Sequence, residues 1–143
     1  MNIEFISIIR KTIKNKKYKT LKNIKHHINN NTHDHCIKVA YLCYRHSIKH
    51  NRNIDTYSLV RGALLHDYFL YDWRKTKNKL HCFTHPKKAY INAIQDYDNI
   101  NEIEKDIILR HMFPLTPIPP KTKEGWIVCL YDKIATITDL FNK

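Results

Sequence analysis

The sequence predicts an all-α fold, a compact single-domain bundle of about six to seven helices. The 143 residues include only 2 glycines, and turn signals are not regularly spaced along the chain. The sequence also lacks long runs of alternating polar and apolar residues, which would indicate strands. The length suits one domain with its own core, and no stretch of about eighteen apolar residues predicts a membrane span.

The predicted domain comprises residues 1–143, with its core between about residues 30 and 140 and amphipathic, basic helices in residues 1–28. Four isoleucines at the spacing of one helix face predict the first helix: Ile3, Ile6, Ile9 and Ile13. Residues 11–25 are the most basic run of the chain. We interpret them as a solvated helix face rather than an RNA-binding surface, because no aromatic platform accompanies them.

The composition favours a cytoplasmic protein with an anionic substrate. The formal net charge is +12, although lysine, asparagine and isoleucine are all abundant, as an AT-rich coding sequence produces. A cationic surface attracts small anions such as phosphates. The start of the chain lacks the features of a secretory signal. No cysteine pair has Cys-x-x-Cys spacing, which favours free, mostly buried thiols at all four positions: Cys36, Cys43, Cys82 and Cys129.

An asparagine-rich break precedes the next predicted helix, which begins near Asn31 or Thr32. His35 lies on the apolar face of this helix and is the better candidate for a buried ligand. His33 is rotated away from that face, so it either orients His35 or faces solvent. No role is assigned to two histidines further along, His46 and His50.

The helix predicted to begin near Asp55 or Thr56 ends at the adjacent His66 and Asp67. Both side chains emerge from its apolar side. An imidazole and a carboxylate that lose water together at a buried helix end need a compensating interaction. A bound metal ion is the commonest one that satisfies both groups.

Thr84 and Pro86 predict the start of another helix after a basic loop at residues 74–83. The helix dipole biases His85, between them, toward the neutral form that binds metals. His81 precedes this helix and is a candidate contact to the substrate or to a metal ligand.

Asn101 and Glu104 form a predicted capping box at the start of a further helix. On that helix His111 shares the face of Ile107 and Ile108, so it is again directed toward the core.

The proline-rich residues 113–120 predict a stiff loop before the last helix, from about residue 124 to 141. Asp132 lies on the apolar side of this helix, where its carboxylate needs Lys121, Lys133 or a metal ion as a partner.

Six candidates are thus directed toward the interior, four imidazoles and two carboxylates on five predicted helices: His35, His66, Asp67, His85, His111 and Asp132. A single zinc ion needs about four ligands. Six ligands suit two divalent ions when one of the carboxylates can bridge the two ions.

These residues and their neighbours resemble the HD-domain metal-dependent phosphohydrolase superfamily. The resemblance rests on three segments: His35-Cys36-Ile37-Lys38-Val39-Ala40, Leu64-Leu65-His66-Asp67 and Asp132-Lys133-Ile134-Ala135. His85 before Pro86 and His111 after Arg110 resemble the branch with two additional histidines. The resemblance covers about residues 30 to 140, extends to small stand-alone bacterial HD proteins, and implies a helical bundle of the HD type.

The resemblance implies one metal ion on His35, His66, Asp67 and Asp132, and a second on His85, His111 and a bridging Asp67. It implies that a hydroxide bridging the two ions attacks a phosphate, with His66 and Asp67 as the catalytic pair. Iron or manganese is the expected metal, with nickel, cobalt or zinc as alternatives. The expected substrate is a nucleotide or another small phosphate ester, and we predict phosphate contacts at four residues: Arg61, His81, Arg110 and Lys121.

Two departures from the family pattern bear on the reaction. Relatives that degrade cyclic di-GMP carry His-His-Glu and Gly-Tyr-Pro signatures, whereas residues 110–114 here read Arg-His-Met-Phe-Pro and do not favour that substrate. Tyr68-Phe69-Leu70 replaces the charged residues that usually follow His-Asp, so Tyr71, Asp72 or His81 is left as the general acid. Two alternatives stay open, a di-iron oxygenase on the same scaffold and an RNA-binding module with structural metals, and the sequence does not predict an oligomeric state.

Overall fold

The computed structural model describes residues 2–27, 29–50, 53–77 and 79–141. These residues form seven α-helices, one short 3-10 helix at Thr20–Asn23 and one antiparallel pair of strands, which confirms the all-α prediction. The helices in chain order are α1 (Ile3–Ile13), α2 (Lys16–Lys19), α3 (Thr32–His50), α4 (Thr56–Leu65), α5 (His81–Asp96), α6 (Glu102–Arg110) and α7 (Lys123–Phe141). The strands are β1 (Lys25–His27) and β2 (Asn30–Asn31).

Side-chain caps start the helices where the sequence predicts them. The Asn31 side chain accepts a hydrogen bond from the Asp34 N–H at 2.8 Å, which places the cap of α3 at Asn31 rather than Thr32. Asp55 accepts from the Ser58 N–H at the start of α4. Asn101 and Glu104 form both bonds of the capping box before α6.

Helix α4 is the centre of the bundle. Every residue from Ser58 to Leu65 is buried, and the helix packs against α1, α3, α6 and α7. Its C-terminal end therefore lies in the interior, where the last backbone carbonyls need partners. The Leu64 carbonyl accepts from the Tyr18 hydroxyl at 2.8 Å, and the Leu65 carbonyl accepts from the Tyr68 N–H at 3.1 Å.

The N-terminal region differs from the helices predicted for residues 1–28. The first helix ends at Ile13, and the Asn15 side chain caps a separate short helix, α2, by accepting from the Lys17 and Tyr18 N–H groups. The chain then forms the strand β1, which pairs with β2 through the register Lys25↔Asn31. A hairpin this short has no alternating pattern to reveal it in the sequence.

The start of α5 also differs from the prediction. The helix begins at His81, one turn earlier than predicted, and Thr84 is not its cap because its hydroxyl donates to the Leu80 carbonyl. Pro86 thus lies inside the helix, near its beginning, where the missing N–H costs at most one helical hydrogen bond.

The cysteines are free thiols, and Cys36, Cys43 and Cys129 are buried, as predicted. No helix in the described part of the chain is both long enough and apolar enough to cross a lipid bilayer.

Candidate metal centre

All six predicted ligand residues meet at one point of the bundle. His35 lies on α3, His85 on α5 and Asp132 on α7, while His66 and His111 are the residues that directly follow α4 and α6. Asp67 comes immediately after His66. All six are buried, and His35, His66 and His111 have 0% exposure. The cluster therefore joins the ends or interiors of five helices.

Asp67 stands between two groups of histidines, with one carboxylate oxygen toward each. Its Oδ1 lies 3.2 Å from His85 Nε2 and 3.3 Å from His111 Nε2. Its Oδ2 lies 3.3 Å from His66 Nε2 and 3.9 Å from His35 Nε2. A carboxylate oriented in this way can serve two cation positions at once.

Asp132 belongs to one of these two groups. Its Oδ1 is 2.8 Å from His35 Nε2 and 3.3 Å from His66 Nε2. One half of the centre thus contains His35, His66, Asp132 and an oxygen of Asp67. The other half contains His85, His111 and the second oxygen of Asp67.

Backbone carbonyls set the tautomers of three of the histidines. His66 Nδ1 lies 2.6 Å from the Ala63 carbonyl, His85 Nδ1 lies 2.9 Å from the His81 carbonyl, and His111 Nδ1 lies 2.8 Å from the Ile108 carbonyl. A carbonyl only accepts hydrogen bonds, so we assign the proton of each neutral ring to Nδ1. Each Nε2 then directs a lone pair into the cluster, which is the orientation of a metal ligand.

This orientation fits a divalent cation. The Nε2 atoms of His85 and His111 are 3.0 Å apart, and two lone pairs at that distance repel unless a proton or a cation lies between them. The buried Nε2 of His66 forms no hydrogen bond, although two carboxylates lie 3.3 Å away. Nitrogen and oxygen donors in this mixture suit zinc and the other first-row divalent metals.

The charges of the cluster oppose the effects of burial. Burial alone would raise the pKa of Asp67 and of Asp132, but the surrounding imidazoles bring both pKa values well below their usual range. Burial alone would lower the pKa of His66, but the nearby negative charges raise that pKa well above its usual value. A proton and a metal ion therefore compete for His66 Nε2.

His26 is a member of the cluster that the sequence analysis did not find. Its Nε2 lies 3.2 Å from Asp67 Oδ2, and its ring stacks on that of His35 with centroids 3.6 Å apart. One potential ligand atom from each of His26, His35, Asp67 and Asp132 lies within 4.8 Å of the other three. His26 directly follows the basic run, residues 11–25, that we interpreted as a solvated helix face, and it lies on strand β1 of the β1–β2 hairpin.

The comparison with known families agrees with this geometry. Residues 32–137 match the family model described as the HD domain. The chain belongs to the HD-domain family. Most members of this superfamily are metal-dependent hydrolases. Searches of curated proteins and of solved structures found no significant match.

A cleft of about 1400 Å³ in this HD domain is lined by part of the candidate metal centre. The members of the cluster in its lining are Asp67, His85, Asp132 and His26. Four basic side chains line the cleft: Arg74, Lys77, Lys79 and Lys133. Apolar side chains cover much of its remaining wall: Phe69, Trp73, Met112, Pro114, Leu115 and Ile137. The cleft thus combines a cationic part with an apolar part, both adjacent to the centre.

His81 lines the same cleft, as the sequence suggested. Its Nδ1 lies 2.7 Å from the Tyr71 hydroxyl, and its ring stacks on His85 and on Trp73. Burial lowers the pKa of His81 to about 4, so the ring is neutral near pH 7. Burial raises the pKa of Tyr71, so its hydroxyl keeps its proton. We assign this hydroxyl as the donor in the hydrogen bond with His81 Nδ1. Asp72 instead accepts the Arg74 N–H and is not part of the cleft lining.

Arg61 is not available as a phosphate contact. Its guanidinium donates to both carboxylate oxygens of Glu104 at 2.7 and 2.8 Å. It also donates to the backbone carbonyls of Asp98 and Asn99. These bonds occupy the guanidinium between α4 and α6, so the residue has a structural role.

Two other predicted phosphate contacts also lie outside the cleft. Arg110 pairs with Asp106 at 3.4 Å and donates weakly to the Pro119 carbonyl. Lys121 is exposed, and its backbone N–H donates to the Asp106 carboxylate. Neither residue is part of the cleft lining.

Proposed function

We propose that this HD-domain protein is a metal-dependent phosphohydrolase that acts on a nucleotide or another small phosphate ester. The observation that carries the proposal is the orientation of Asp67, whose two oxygens face separate groups of histidines. In this proposal one divalent ion is held by His35, His66, Asp67 and Asp132. A second is held by Asp67, His85 and His111. Iron and manganese are the first metals to test.

Divalent ions at these positions would supply a water of lowered pKa and positive charge to stabilise a phosphoryl transition state. The chain's own residues then orient the reacting groups. The carbonyls of Ala63, His81 and Ile108 hold three imidazoles in the tautomer that directs Nε2 inward. Asp67 occupies the position between both groups, so its loss would disturb the whole centre.

The cleft lining supports a nucleotide as the substrate. Arg74, Lys77 and Lys79 bring positive charge to one side, where they would contact phosphates. Trp73, which stacks on His81, offers aromatic surface in the cleft that suits a nucleobase. A phosphorylated sugar without a base would leave that apolar wall uncovered.

His81 is the residue of this chain best placed to assist the leaving group. With the Tyr71 hydroxyl assigned as the donor to His81 Nδ1, the proton of the neutral ring is on Nε2. That N–H is then a hydrogen-bond donor for an oxygen of the substrate in the cleft. Tyr71 fixes the orientation of the ring.

The proposal is tested by phosphate release from a panel of nucleotides and sugar phosphates, with metal-free protein reloaded with manganese or iron. We expect release that requires the metal and that falls by at least about a hundredfold in Asp67→Asn. The matched control is Asp98→Asn, which changes an exposed carboxylate outside the cleft and should retain full activity. Equal activity in Asp67→Asn and wild type would contradict the proposal.

The same assay without oxygen separates the hydrolase from the di-iron oxygenase that the family resemblance also allows. Hydrolysis transfers a phosphoryl group to water and consumes no oxygen, so turnover should be unchanged under argon. Turnover that stops without oxygen, together with oxygen uptake in air, would replace the hydrolase with an oxygenase.

A further inference from the structure

We propose that His26, on strand β1, is a fifth protein ligand of the metal ion held by His35, His66, Asp67 and Asp132. The inference rests on metal binding at the centre, as in the proposed function, but not on hydrolysis. It extends the ligand set beyond the six residues that the sequence analysis identified.

The position of His26 Nε2 carries this inference. It lies 3.2 Å from Asp67 Oδ2, almost the same distance as His66 Nε2, which lies 3.3 Å from that oxygen. Metal–ligand bonds of about 2.0 to 2.2 Å place neighbouring ligand atoms of one ion roughly 3 Å apart. The distance between His26 Nε2 and Asp67 Oδ2 is therefore the spacing that two ligand atoms of one ion have.

Backbone contacts of the two residues before His26, together with a ring contact, hold it at this position. The Ile24 carbonyl accepts from the Thr32 N–H at 2.8 Å, which joins the segment before β1 to the start of α3. The Lys25 carbonyl accepts from Trp73 Nε1 at 3.1 Å. The His26 ring lies nearly parallel to that of His35, with an angle of 14° between the planes. The hairpin thus carries His26 to the same half of the centre as α3 carries His35.

A fifth ligand increases the difference between the two halves of the centre, which would hold five and three protein ligands. Three imidazoles and two carboxylates would leave one position on an ion that takes six ligands. The half formed by Asp67, His85 and His111 has three protein ligands and would leave more positions free. We therefore expect the second half to provide most of the positions for substrate oxygens and water.

Titration of the metal-free protein with Co²⁺, followed by visible absorption, tests this assignment without any turnover. We expect His26→Ala to weaken one of the cobalt-binding steps by at least about tenfold and to change its absorption spectrum, because the ion loses a nitrogen ligand. His26→Phe should behave like His26→Ala, since it keeps an aromatic ring against His35 but offers no ligand atom. His50→Ala is the control, because it removes an imidazole at the exposed end of α3 and should titrate like wild type.

Three results would overturn the assignment. If both His26 variants bind Co²⁺ with the affinity and the spectrum of the wild type, the residue is not a ligand. Wild-type behaviour in His26→Phe alone would show that the ring acts by stacking. A wild-type protein that binds no cobalt would remove both this inference and the proposed function. A wild-type protein that binds cobalt as expected but hydrolyses no phosphate ester would remove the proposed function alone.

Discussion

At the scale of single residues, the centre is prepared by hydrogen bonds within short segments of chain. His66 and His111 each donate to a carbonyl three residues earlier, and His85 donates to one four residues earlier. These bonds form as soon as α4, α5 and α6 have formed, because donor and acceptor lie on the same helix turn. The orientation of each Nε2 is thus set by contacts within its own helix, whereas the distances between the rings depend on how the helices pack.

The protonation of His66 leads to a prediction about pH. The negative charges around the ring outweigh burial and raise its pKa, so a metal ion must displace a proton as long as the pH is below that value. We expect metal affinity to rise up to about tenfold per pH unit for each proton displaced, which is about 1.4 kcal/mol per unit. Isothermal titration calorimetry with Co²⁺ in buffers of different ionisation enthalpy measures the released protons directly.

Metal affinity should rise with pH, whereas the contribution of His66 to the stability of the metal-free protein should fall as the pH rises. A raised pKa stabilises the folded state below the unfolded-state pKa of about 6.5, and the contribution is lost as the pH rises through the folded-state pKa. The depressed pKa values of Asp67 and Asp132 act only in acid, where stability is lost as the pH falls below about 4. The increase in Tm on adding metal should therefore be larger at pH 8 than at pH 6. Equal increases at both pH values would contradict this account of His66.

At the scale of helices, an ion pair joins α4 to α6. Arg61 on α4 binds Glu104 on α6 through two hydrogen bonds, and the Glu104 side chain is completely buried. Glu104 also completes the capping box of α6 by accepting from the Asn101 N–H. The pair therefore fixes both the start of α6 and its position against α4. His66 and His111 follow the C-terminal ends of these two helices, so their separation depends on this packing.

Replacing Arg61 tests whether its role is structural. We expect Arg61→Met to lower the free energy of unfolding by about 3 to 5 kcal/mol, because Glu104 is left buried without its partner. Chemical denaturation measures this loss, and Arg10→Met is the exposed control. Below the melting temperature, KM for the phosphate ester should stay close to that of wild type. A stable Arg61→Met protein with a raised KM would restore Arg61 as a phosphate contact.

At the scale of the whole molecule, positive charge is present on two separate surfaces. Arg74, Lys77 and Lys79 lie at the cleft, whereas exposed lysines of the N-terminal region, such as Lys14, Lys16 and Lys19, are not part of its lining. The net charge of +12 attracts anions to the molecule in general, but only the first surface lies beside the metal centre. The two surfaces therefore offer a direct test of where the substrate binds.

Two triple variants with the same change in net charge make this test. Changing Arg74, Lys77 and Lys79 to alanine should raise KM by about tenfold with little change in kcat, because the lost contacts stabilise bound substrate and transition state equally. Changing Lys14, Lys16 and Lys19 to alanine should leave KM within about twofold at physiological salt, where distant charges are screened. Steady-state kinetics of phosphate release compares them. Equal effects of the two variants would mean that overall charge, rather than the cleft, sets the affinity.

The sequence by itself determined the family and the starts of α3, α4 and α6. The caps at Asn31, Asp55 and Asn101 are local signals, because each is satisfied within three residues of the chain. The candidate ligands could also be found by position, because an imidazole or a carboxylate on an apolar helix face stands out in the sequence. Their order in the chain matched the family pattern, which the HD-domain match at residues 32–137 supports.

The tertiary structure alone decided how these residues are used. The hairpin places His26 next to Asp67, 41 positions later in the chain. Arg61 pairs with Glu104, 43 positions later. Neither pairing leaves a periodic pattern in the sequence. The division of Asp67 between two groups of histidines also depends on the packing of five helices. Local patterns report which face of an element is buried, whereas the partner across the core is fixed only when separate elements pack.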